Sequence, residues 1–89
     1  MANLVIYKYP VPTPPCTFIH PIPKDAEILC VQMQNGLPQI WALVDPQMEG
    51  ERRKFAVIGT GRGREGLSRS RYVGTFQDPP FVWHLFEIN

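Results

Sequence analysis

The residues most able to do chemistry lie in one short run, Gly59-Thr-Gly-Arg-Gly-Arg-Glu-Gly66. Glycines let backbone N–H groups converge on an anion, and arginine offers a planar fork of donors that fits phosphate oxygens. Gly59, Thr60, Gly61, Arg62 and Arg64 therefore form a candidate phosphate loop. The competing reading is a surface connector whose arginines are simply solvated. Within the run, residues 61–66 match G-x-G-x-x-G. The dinucleotide fingerprint needs a long helix after the glycine turn, with the pyrophosphate at its amino end. Here no long helix follows and residues 69–77 return to strand-like types, so that reading fails its context test. A P-loop fails too, because no Lys-Ser or Lys-Thr closes the run.

Charge adds weight to the loop. The net charge is +1, yet seven of the nine basic residues fall between Arg52 and Arg71 (Arg52, Arg53, Lys54, Arg62, Arg64, Arg69, Arg71), with Glu65 alone against them. A nearly neutral chain with one basic region reads as an anion binder rather than a general nucleic-acid coat. Aromatic side chains are the second resource. Tyr7, Tyr9, Trp41, Phe55, Tyr72, Phe76, Phe81, Trp83 and Phe86 can each stack on nucleobases, although most aromatics in so short a chain belong to the core. Catalysis is not expected. His20 and His84 are the only bases for neutral pH, Ser68 and Ser70 show no triad spacing, and Asp45 and Asp78 precede prolines, where Asx turns form. No metal site or cofactor is implied, since two histidines and two isolated cysteines lack ligand spacing. Cys16 and Cys30 read as free thiols.

The elements that must position these groups are strands. At 89 residues the chain makes one domain, and its 44% apolar residues suit a globular core. Ten prolines, about twice the usual share, oppose long helices. Asn35-Gly36 signals a two-residue hairpin. Its register would pair Val31 with Ile40 and Leu29 with Ala42 on one face, and Cys30 with Trp41 and Ile28 with Leu43 on the other. Apolar pairs on both faces predict a central hairpin covered on both sides. Further strands are expected over residues 3–9, 17–22 (an edge, because of Pro21), 54–58, 72–77 and 81–88. In the last, Phe81, Trp83 and Leu85 share one face, with Val82, His84 and Phe86 on the other. Residues 64–70 suit one turn of helix, and residues 10–15 (PVPTPP) an extended connection. The expected fold is all-β, a small single-domain barrel or sandwich of six to seven short strands. No signal peptide or apolar run of membrane-spanning length is present in the sequence given.

Four blocks carry a family resemblance: residues 34–46 (QNGLPQIWALVDP), 55–61 (FAVIGTG), 72–77 (YVGTFQ) and 81–87 (FVWHLFE). Together they resemble a family of small bacteriophage proteins long described as a domain of unknown function. Phage proteins of this kind resemble the tetrameric anti-CBASS sponges, which sequester cyclic dinucleotide defence signals. The resemblance implies a homo-oligomer, with a tetramer favoured, acting without catalysis in the cytoplasm of an infected bacterial host. A cyclic dinucleotide or related small nucleotide would be its partner. Arg62, Arg64 and Arg71 would meet phosphates, the backbone of residues 59–63 would cradle them, and Trp41, Tyr72 or Trp83 would stack on bases. The alternative is a phage accessory protein that binds nucleic acid or a host protein through residues 52–71. Residues 62–66 of the glycine-arginine run, with Arg62 and Arg64, and the proline stretch lie outside the resembling blocks.

Overall fold

Asn35 and Gly36 both take positive φ, 52° and 81°, and turn the chain between two antiparallel strands. This is the geometry that Asn-Gly tolerates and most residues resist. In the computed structural model, which describes residues 3–89, seven strands form: β1 (Val5–Pro10), β2 (Cys16–Pro23), β3 (Glu27–Gln34), β4 (Leu37–Val44), β5 (Gly50–Gly59), β6 (Arg71–Asp78) and β7 (Phe81–Ile88). A single 3-10 turn spans Leu67–Arg69. Among the described residues no helix is long and apolar enough to cross a membrane.

The strands make two antiparallel sheets, one ordered β1-β4-β3 and the other β2-β5-β7-β6. The sheets face each other as a sandwich and do not close into a barrel. Alternation decides what lies between them. Ile40, Ala42 and Val44 of β4, with Ile28 and Val31 of β3, meet Ile22, Phe55, Val57, Phe76 and Leu85 of the other sheet in one core. Phe18 and Phe55 stack at 5.3 Å between ring centres. Along one seam β3 runs beside β6. There a Cβ on Gly74 would stand 3.1 Å from Val31 Cγ1, so the two backbones approach where glycine leaves room. Along the other seam Tyr9 meets His20 edge-on at 4.8 Å. Residues 11–15 carry the chain from β1 in one sheet to β2 in the other, and they bend at residues 13–15 rather than running extended as expected. Pro21 does mark an edge strand, since β2 pairs with β5 alone.

The hairpin register holds near the turn and then slips. Val31 faces Ile40 and Cys30 faces Trp41, as the two-residue turn requires. A bulge then takes up Leu29, so Ile28 pairs with Ala42 and Glu27 with Leu43. The expected pairs Leu29–Ala42 and Ile28–Leu43 do not form. The extra residue lets Ile28 and Val31 both reach the core and leaves Leu29 40% exposed. The hairpin is also not covered on both faces. β3 is an edge strand, and Trp41 and Leu43 on the outward side of β4 are only half-buried.

Candidate functional site

The glycine-arginine run becomes a turn and a crossover. β5 and β6 both pair antiparallel with β7, so they run parallel with β7 between them. Residues 60–70 must therefore return along β7, and the 3-10 turn lies against that strand. The return starts with a β-turn in which the Arg62 N–H donates to the Gly59 carbonyl at 3.1 Å. Gly61 has φ 84° at the third position, where a side chain would be strained. The Thr60 N–H donates to the Val82 carbonyl at 3.3 Å and pins the turn to β7. Two amides of the expected phosphate cradle are thus already spent within the chain. A backbone nest spanning all of residues 59–63 does not exist.

A groove of about 790 Å³ opens beside this turn. Its apolar wall is Ile58, Val82, Trp83 and Phe81, with Thr60 and Arg62 at the turn side. The Phe81 and Trp83 rings lie 5.5 Å apart and tilted by 31°. Sheet register explains the gathering, because Gly59 pairs with Trp83 across β5 and β7. A methyl built on Gly59 would touch the Trp83 ring at 3.4 Å and Arg62 Cγ at 3.8 Å, so indole and arginine stem converge there. Arg62 is exposed, while the salt bridge among the described residues belongs to Arg53 and Glu87. An exposed cation beside a planar aromatic wall can hold a flat, negatively charged guest. The Trp83 indole nitrogen is itself buried and has no acceptor, as is that of Trp41.

Next to the groove, on the outward face of the larger sheet, Thr60 Oγ1 lies 2.8 Å from His84 Nε2. On the ring's other side, Nδ1 lies 3.1 Å from Thr75 Oγ1 and 3.3 Å from the Tyr72 hydroxyl. Tyr72 and Thr75 also hydrogen-bond each other. The histidine is held between hydroxyls, and among the described residues no carboxylate bonds it. This is a positioning cluster that fixes Thr60 at the lip of the groove.

The remaining expected residues scatter. Arg64 is half-buried in the crossover and does not line the groove. Arg71 pairs with Glu87, four positions along β7 from Trp83, or about 13 Å away. Trp41 sits on the outward side of the other sheet, with the Lys8 ammonium 5.9 Å from its ring centre. The basic window is not one patch either. Arg53 turns inward, donating through Nη2 to Glu87 Oε1 and through Nη1 to the Ala26 carbonyl, both at 2.9 Å. Its Nε also donates to Glu87. The hydrogen bond with Glu87 is the main reason its pKa lies above the ordinary arginine value. Arg52 is exposed toward the far end of β5, which is about 30 Å long, and Lys54 is exposed near its middle. Ile58 and Val82 were not expected in a site; only the pairing of β5 with β7 brings them beside Trp83. Both cysteines are free thiols. Burial pushes the Cys16 thiol pKa up.

A family model described as a domain of unknown function (DUF7352) matches residues 2–89. No curated protein and no solved structure matches the chain.

Proposed function

The chain belongs to the DUF7352 family, a domain of unknown function, and on that premise we propose that it binds and sequesters a cyclic dinucleotide, as a phage sponge for a bacterial defence signal. One observation carries this reading: the groove sets Arg62 and Thr60 against the Phe81–Trp83 aromatic wall. A base can lie on the rings while a phosphate meets the guanidinium. The resemblance to phage sponges supplies the class of ligand. Sequestration needs affinity and no turnover, and the hydroxyl-bound His84 is read as structural support rather than as a base.

Calorimetry against a panel of cyclic di- and trinucleotides tests the proposal. Submicromolar binding requires more than about 8 kcal/mol. Arg62→Ala removes a charge-assisted contact worth about 1.5–3 kcal/mol and should weaken binding roughly ten- to a hundredfold. Arg71→Ala, remote from the groove, should leave affinity within about twofold. The ligand should be recovered intact by chromatography after long incubation. A folded protein that binds nothing in the panel refutes the proposal. Equal losses from Arg62→Ala and Arg71→Ala, with binding to single strands that weakens steeply with salt, would favour an open basic surface for nucleic acid.

A further inference from the structure

Every sheet edge offers unpaired N–H and C=O groups to another strand, and proteins guard such edges with prolines, bulges or cover. Three of the four edges here are guarded. β2 carries Pro21 and Pro23, whose missing donors interrupt a ladder. β3 is bulged at Leu29, and β6 is bulged between Tyr72 and Gly74. These last two edges also run beside each other along the seam where Gly74 meets Val31.

β1 has none of these devices. It pairs with β4 in unbroken register from Val5 to Pro10, and among the described residues no strand pairs with its other edge. Its proline comes last. Its one charge, Lys8, is drawn back over its own sheet, bonding Gln34 and lying by Trp41. Large apolar side chains are exposed on both of its faces: Ile6 at 60% on the outward side, Val5 at 37% and Tyr7 at 43% on the inward side. Leu4, just before the strand, is 55% exposed.

We propose that the β1 strands of two copies pair antiparallel across a two-fold axis at Ile6, joining their small sheets into one six-stranded sheet. The guarded edges select the partner. A head-to-tail contact would need β1 to dock on β2, β3 or β6 of the next copy, and each of those is interrupted. The edge that fits β1 is β1 itself, which gives a closed isologous dimer rather than a filament. An axis at Ile6 keeps both outward faces on one side. It sets Ile6 beside its copy, Val5 across from Tyr7 and Leu4 across from Lys8. The two lysines then stand about 13 Å apart along the strands, so like charges are not opposed. This inference does not rest on the nucleotide reading.

Light scattering of the full chain over a hundredfold concentration range tests it. The wild-type protein is expected to show an even number of chains. Ile6→Lys and Ile6→Glu, each made separately at this exposed position, should halve the mass while keeping the far-ultraviolet spectrum. Mixing the two variants should restore pairing, because opposite charges then meet at the axis. A wild-type protein that is monomeric throughout overturns the proposal, as does an assembly unchanged by both substitutions. Monomeric variants that stay apart when mixed overturn the axis at Ile6. If either variant fails to fold, hydrogen exchange of the wild-type protein decides: the outward amides of β1 should gain protection with concentration, and constant exchange refutes the pairing.

Discussion

Removing Arg53 should cost the fold far more than it costs any ligand. Its guanidinium ties β5 to Glu87 on β7 and to the Ala26 carbonyl between β2 and β3. The two side chains are only 14% and 12% exposed. Arg53→Met leaves a carboxylate with little water around it and a carbonyl without its donor. Breaking a buried pair from one side costs about 3–5 kcal/mol. Some solvent still reaches this pair, so we expect about 3 kcal/mol, or a fall in Tm of more than roughly 10 °C for a domain this small. Glu87→Gln keeps one acceptor and should cost about 1–2 kcal/mol. The double variant Arg53→Met/Glu87→Met exchanges the pair for apolar contact and should recover about 2 kcal/mol relative to the sum of its parts. Urea unfolding followed by tryptophan emission measures each value, with a constant slope confirming a common transition. Strict additivity, or a loss below about 0.5 kcal/mol for Arg53→Met, refutes the reasoning. The same variant, kept below its unfolding temperature, should bind ligand as the wild type does. A lost affinity with unchanged stability would return Arg53 to the binding surface.

Two further outcomes follow from packing and titration. Gly74→Ala places a methyl 3.1 Å from the stiff Val31 side chain and should destabilise by about 1–3 kcal/mol, with Val31→Ala on top restoring part of the loss; a neutral Gly74→Ala would mean that the seam is looser than described. Burial, and next the charge on Tyr7, raise the Tyr9 pKa above 10.0, and burial raises that of Cys16 above 9.0. A raised folded-state pKa gives stability that is whole below the unfolded value and lost as pH climbs through the folded one. Tm should therefore fall as pH rises from about 8 to about 11, and Tyr9→Phe and Cys16→Ala should each flatten the fall. A melting temperature independent of pH in both the wild type and these variants would contradict that assignment.

Local signals in the sequence placed the strands well. Asn35-Gly36 located the hairpin turn, Pro21 an edge, and period-two alternation the faces of β7, with Leu85 buried and Val82 exposed. What it left hidden depends on partners distant along the chain. Leu29 and Ile28 are both apolar, so alternation alone could not show that one of them would be bulged out. Arg53 looked like a free cation because Glu87, its partner, lies 34 residues away. The groove needed β5 to pair with β7 and not with β6, the strand that follows it. Nothing near Gly59 in sequence announces Trp83 as its neighbour. Closeness in sequence also misled about charge, because a ten-residue strand separates Arg52 from the glycine turn by most of the length of the sheet.

That separation limits what a single copy can bind. A cyclic dinucleotide carries two phosphates, and the groove of one chain offers them Arg62 among its lining residues. One charge-assisted contact supplies about 1.5–3 kcal/mol. Stacking of a base adds about 1–3 kcal/mol. Together these fall short of the roughly 8 kcal/mol that micromolar binding requires. A tight site must therefore draw a second guanidinium or a second aromatic wall from another copy, and the affinity of the proposed sponge should depend on assembly. If Ile6→Lys yields a folded monomer that still binds a cyclic dinucleotide at submicromolar concentration, then one groove is enough and the second copy contributes nothing to the site.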